Sequence, residues 1–123
     1  MVADPVRDAK KHMESVYGIE LPGLAIGPGW LHLVQHFLEE AKACGLLRDL
    51  RVLQIKEKFG ELRIYYRCES DYPSCNYLRR RVRKITDASQ GVCEVCGKPG
   101  AHRTRGSLHL TRCERCYASG LEA

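Results

Sequence analysis

No run of about 18 apolar residues occurs in this chain, which excludes a membrane-spanning helix from the expected architecture. The first apolar runs are short and broken by Asp4, Asp8, Lys10 and Lys11. No secretory leader is therefore expected, and the default compartment is the cytoplasm. Low-complexity tracts are missing, as is any internal repeat beyond two short cysteine motifs. Residues 97–112 contain no Asp, Glu or Asn, which denies His102 and His109 a partner for metal-dependent hydrolysis nearby in sequence. The seven cysteines are an odd number. Without export features, that count argues for reduced thiols or metal ligands over a disulfide framework.

What is present suits one small domain, or a compact domain with an appended module too small to bury a core of its own. The net charge of +5 is unevenly distributed. Residues 1–70 hold ten Lys/Arg against ten Asp/Glu, whereas residues 71–123 hold ten against five. The basic excess belongs to the C-terminal part. Four thiolates around one Zn²⁺ would lower that part by about two charges and leave it basic.

Asp4 and Pro5 read as the N-cap and first position of a helix over about 5–17, with Val6, Ala9, Met13 and Val16 at helical intervals. After the Pro/Gly-rich loop at 22–29, a second helix is expected over about 29–44. Its apolar side carries Trp30, Leu31, Leu33, Val34, Phe37, Leu38 and Ala41. Over residues 51–68 the period changes from 3.6 to 2. Leu53 and Ile55 alternate in one run, and Leu62, Ile64 and Tyr66 in the next, which predicts a hairpin. Matching the buried faces sets Ile55 opposite Ile64 and puts Phe59-Gly60 at the turn, where Gly60 takes positive φ freely. That register opposes Lys56 to Arg63, a like-charge pair that Glu57, Glu61 or a bound anion would have to screen. Residues 70–77 read as a turn, followed by a third helix at about 75–89 with Leu78, Val82, Ile85 and Ser89 in a narrow stripe.

Cys93-x2-Cys96 and Cys113-x2-Cys116 are separated by 16 residues. Each pair lets two sulfurs reach one ion, and the long loop can fold back to complete a tetrahedron, so one structural zinc is expected at Cys93, Cys96, Cys113 and Cys116. A mixed site using His102 or His109 is the variant of this reading. Four thiolates close the coordination shell and leave no position for a reacting water. Cys44, Cys68 and Cys75 show no metal spacing and read as small apolar fillers. His32 and His36, four apart with Glu39 and Glu40 nearby, allow a second metal geometrically, but a solvated polar face is the plainer reading.

Arg79, Arg80, Arg81, Arg83 and Lys84 spread over the rest of the third helix, the electrostatic footprint of a phosphate-binding surface. Solubility or docking to an acidic partner would use the same charges. Lys56, Lys58, Arg63, Tyr65 and Arg67 on the open hairpin face could extend the surface, with Tyr65 able to stack on a base.

The run PGW opening an apolar helix, then IKEKFGELRIYY, then ITDASQGVCEVCGKPG and a closing Cys-x2-Cys, resembles small phage, prophage and mobile-element proteins. These carry an IKEKFGxLRxY core before a zinc-finger tail. The resemblance covers about residues 28–116 and implies a mobile-element setting and a zinc tail at the four cysteines. Residues 1–27 and the Arg79–Lys84 cluster lie outside its pattern. The setting raises an alternative partner class, a host defence nucleoprotein or protein complex inhibited by direct binding. A His-dependent nuclease on a zinc-knuckle scaffold is a third class.

The expectation is thus an α+β protein. Residues 1–70 form two helices packed on a short hairpin, and residues 71–123 form a basic helix with a four-cysteine zinc finger, ribbon or treble clef. Its expected role is non-catalytic binding of nucleic acid or a nucleoprotein complex.

Overall fold

The computed structural model describes residues 4–119. Helix α1 spans Pro5–Tyr17. Asp4 caps it by accepting the Arg7 N–H at 3.1 Å, and Gly18 ends it in the left-handed conformation. Met13 and Tyr17 face the core, while Val16, expected on that face, is exposed. At 100° per residue Tyr17 lies about 20° from Val6 around the helix and Val16 about 80°, so the phenol takes the inward position. Its hydroxyl donates to Glu39.

The segment read as a loop contains a two-residue strand, β1 (Leu24–Ala25), that runs parallel to the next strand beside Ile55 and Lys56. A single 3₁₀ turn, Pro28–Trp30, then leads into α2 (Leu31–Ala43). Trp30, Leu33, Val34, Phe37, Leu38 and Ala41 are buried as the periodicity requires, while Leu31, expected with them, is half-buried at the edge of the core.

Strands β2 (Leu50–Lys58) and β3 (Glu61–Cys68) form the hairpin. Ile55 opposes Ile64, Lys56 opposes Arg63, and Lys58 opposes Glu61. Phe59 (φ 54°) and Gly60 (φ 81°) occupy the two turn positions. Positive φ at both is what a twisted two-residue hairpin turn needs. The Lys56–Arg63 repulsion is relieved by an ion pair between Arg63 and Glu61. A bulge between Val52 and Gln54 breaks the alternation. The extra residue reverses the parity of the strand, so Val52 and Leu50 point inward and Leu53, grouped with Ile55 in the sequence reading, is 45% exposed.

Helix α3 spans Tyr72–Ser89 and starts three residues before the expected 75. Asp71 accepts the Ser74 N–H at 2.8 Å, and Pro73 sits in the first turn, so the stretch read as a turn is an N-cap and a first turn. Cys68 and Cys75, read as fillers, form a disulfide with Cα atoms 5.8 Å apart. It ties the end of β3 to the first turn of α3. Leu78, Val82 and Ile85 join one buried cluster with Met13, Trp30, Phe37, Val52, Ile55 and Leu62. The basic helix thus packs into the core built by residues 13–66. Beyond it come β4 (Ala101–Arg105), β5 (Leu108–Arg112) and a short α4 (Glu114–Ala118). Among the described residues no helix is long and apolar enough to cross a membrane.

The register puts two leucines of the hairpin in different surroundings, Leu62 buried and Leu53 exposed at the bulge. Leu62→Ala should cost about 2–5 kcal/mol, whereas Leu53→Ser should stay within about 0.5 kcal/mol of the parent. Urea denaturation of the two variants checks the register.

Candidate metal centre

The ligand atoms of Cys93, Cys96, Cys113 and Cys116 all lie within 4.8 Å of one another, close enough to hold one metal ion. Among the described residues this is the group of three or more His, Cys, Asp or Glu that could do so. The Cys96 and Cys113 sulfurs are 3.7 Å apart. That is close to the edge of about 3.8 Å in a tetrahedron whose sulfurs sit about 2.3 Å from a central ion.

Local sequence builds each half of the site. Cys93 opens a tight turn in which the Gly97 N–H returns to the Cys93 carbonyl at 2.9 Å, and the Cys93 N–H is held by the Lys98 carbonyl at 2.7 Å. The second pair sits on the first turn of α4, where Cys113 is the N-cap and its sulfur accepts the Cys116 N–H at 3.4 Å. The β4–β5 hairpin between the pairs brings the two halves together.

Burial works against charge on Cys93, yet backbone N–H groups of Cys113, Cys96 and Val95 outweigh it and bring this thiol down to about 6. Cys113 is lowered by the Cys116 N–H. Cys116 is pushed up to about 12, by burial and then by the neighbouring sulfurs. Thiolate character is favoured at two positions and opposed at a third by burial and by the neighbouring sulfurs, the tension that a dication removes.

The cysteine turn sits on the core through backbone contacts. The Gly29 N–H donates to the Glu94 carbonyl at 2.8 Å, and the Trp30 indole donates to the Val92 carbonyl at 2.8 Å. A Cβ at Gly29 would lie 2.0 Å from the Cys93 carbonyl oxygen and 2.6 Å from the Gly97 nitrogen. Only glycine permits this approach. At the other contact, the hairpin tip meets β5, where Thr111 donates its hydroxyl proton to the Gly60 carbonyl. Nearby, Ser89 accepts the Leu62 N–H at 2.9 Å, and Gln90 donates to Glu61 at 2.6 Å. The PGW, KFG and CEVCG runs, far apart in sequence, are one packed junction.

A buried ion pair underlies that junction. Arg112 and Glu94 are 0% and 4% exposed, with Nε and Oε1 3.5 Å apart. Burial raises the Glu94 carboxyl above its ordinary range; the Thr111 N–H and Arg112 reduce that shift without cancelling it. Neither residue was read as functional. In sequence Arg112 enters only the Lys/Arg count of residues 71–123, and nothing in a single arginine of a polar strand signals burial.

Other candidates fall outside the centre. The His102 and His109 rings stack with Nε2 and Nδ1 2.9 Å apart, and His109 meets the edge-on ring of Phe59. His36 bonds Glu40 at 3.1 Å, and Glu40 also pairs with Arg81 at 2.9 Å, which holds the Glu40 carboxyl below its ordinary range. His36 therefore belongs to a surface polar network, His32 is exposed on the same helix, and Arg81, read as a phosphate contact, has a partner on α2. Arg79, Arg80, Arg83 and Lys84 are exposed on α3. On the hairpin, Lys58, Tyr65 and Arg67 are exposed, and Lys56 and Arg63 are half-buried.

Comparison with protein-family models, curated proteins and solved structures finds no match to this chain.

Gly29→Ala tests the seat directly. The added methyl meets backbone on three sides, so the variant should lose several kcal/mol, on the scale of about 3 kcal/mol or more for overpacking without room to relax. Gly91→Ala, where a Cβ would meet only the Ala88 carbonyl oxygen at 3.7 Å, is the comparison at a site with space. Thermal unfolding of both should show the larger loss at Gly29.

Proposed function

We propose that the chain is a non-catalytic binding protein of mobile-element type, stapled by one structural zinc ion, that contacts nucleic acid or a nucleoprotein complex through α3. Four sulfurs within 4.8 Å of one another are the donor set zinc favours, and a full thiolate shell supplies structure without an open position for chemistry. A cysteine turn, a hairpin and a second cysteine pair on the first turn of a helix make the module a treble clef in preference to a ribbon. The residues carrying the mobile-element resemblance converge on the junction between module and core, which supports a shared architecture.

The observation that carries the binding reading is the state of the α3 cations. Arg79, Arg80, Arg83 and Lys84 project from a helix whose opposite edge is locked in the core by Leu78, Val82 and Ile85. Its start is held by Cys75 and Asp71, its middle by Arg81 with Glu40, and its end by Ser89 and Gln90. A rigid, charged edge loses little entropy on meeting phosphates. Against hydrolysis, His102 and His109 spend their facing nitrogens on each other. The setting proposed is the host cytoplasm, where four metal-bound thiolates suit reducing conditions; the Cys68–Cys75 bond is the feature such conditions would oppose.

Four phosphate contacts imply that duplex affinity falls roughly a hundredfold between 50 and 200 mM salt. Arg80→Glu/Arg83→Glu should abolish binding while leaving thermal stability close to the parent. Fluorescence anisotropy with labelled DNA and RNA reads both effects. Salt-insensitive binding, or none to any DNA or RNA, would contradict the proposal.

A further inference from the structure

We infer that the open face of the β2–β3 hairpin is a platform for single-stranded nucleic acid. This rests on the binding reading above and names its ligand class. One face of the ribbon packs on the core through Val52, Ile55, Leu62 and Tyr66. The other presents Arg51, Lys56, Lys58, Arg63, Tyr65 and Arg67 over a length of about 24 Å at 3.4 Å per residue.

Two features of that face point to a polyanion. Arg51 opposes Arg67 and Lys56 opposes Arg63, so two like-charged pairs face each other across the ladder, an arrangement that weakens a sheet unless something screens it. Glu61 screens Arg63. Among the described residues no carboxylate lies within ion-pair distance of Arg51, Lys56, Lys58 or Arg67. Phosphates would supply the charge the ladder lacks.

Two further features point to unpaired bases. Tyr65 is 37% exposed in the middle of the face and Phe59 is 63% exposed at its tip. Each ring has a lysine beside it: Lys56 Nζ lies 5.9 Å from the Tyr65 centroid and Lys58 Nζ 5.8 Å from that of Phe59. Aromatic rings interleaved with cations on a flat strand surface stack bases and hold the backbone together, and stacking needs a base free of its complement. At the bulge, across the ladder from Tyr65 and Tyr66, Leu53 is exposed as a further apolar contact. A duplex could use the charges but not the rings.

The experiment compares labelled dT15, its 15-base-pair duplex and polyglutamate at 50 mM salt on the full chain. Single-stranded DNA should bind at least tenfold more tightly than duplex. Tyr65→Leu should weaken it about five- to hundredfold, and Tyr65→Phe should bind like the parent. Lys56→Gln/Arg67→Gln should flatten the salt slope by about 1.4. Duplex binding as tight as single strand, equal binding of polyglutamate, or a folded Tyr65→Leu that binds like the parent would each overturn the inference. If Arg80→Glu/Arg83→Glu loses binding while Tyr65→Leu does not, the sheet platform falls and the α3 reading stands. If no nucleic acid binds, both fall.

Discussion

The backbone of Gly29 lies so close to the first cysteine turn that a single methyl group would not fit between them. Much of the molecule follows from that contact. Trp30, fixed next to it, is the largest fully buried side chain and reaches both the α2 core and the Val92 carbonyl. The hairpin tip meets β5 at Thr111 and Gly60 because the cysteine turn holds β5 there. A small chain has little surplus apolar burial, and the C-terminal segment has few large apolar residues of its own. Four cysteine sulfurs close enough to hold one metal ion offer a cross-link at the turn that covers the core.

A closed four-thiolate shell at this turn suits the binding role proposed above. In that proposal the ion need not touch a ligand; it would hold the junction on which the hairpin and α3 are both anchored. Ser89 and Gln90 at the end of α3 bond Leu62 and Glu61 at the start of β3, and the disulfide joins their far ends. The two basic surfaces are therefore held as one rigid pair. Preorganisation of this kind lowers the entropic cost of docking on an extended polyanion.

Periodicity made much of this legible. Ile55 opposite Ile64, Gly60 at the turn, the stripe from Leu78 to Ser89 and the four cysteines all follow from rules that act within a few residues. What escaped depends on distant contacts. Leu53 faces solvent because of a bulge that no alternation announces, and Arg81 is neutralised by a glutamate 41 residues away. Cys68 and Cys75 pair only because the turn between strand and helix is shorter than the Ser70–Tyr77 stretch suggests. Arg112 is buried because Glu94, itself covered by the Gly29 seat, waits beneath it. The resemblance motifs were visible as words, but their meeting at one junction required the fold.

The central claim is that metal, cysteine turn and Trp30 form one unit. Trp30 is the sole tryptophan, so its emission reports the junction without interference. Titrating the zinc-loaded protein with a strong chelator should release one zinc per chain and red-shift Trp30 emission in the same transition, with loss of near-ultraviolet dichroism. Zinc release that leaves Trp30 emission unchanged, or a folded protein that binds no zinc, would contradict it.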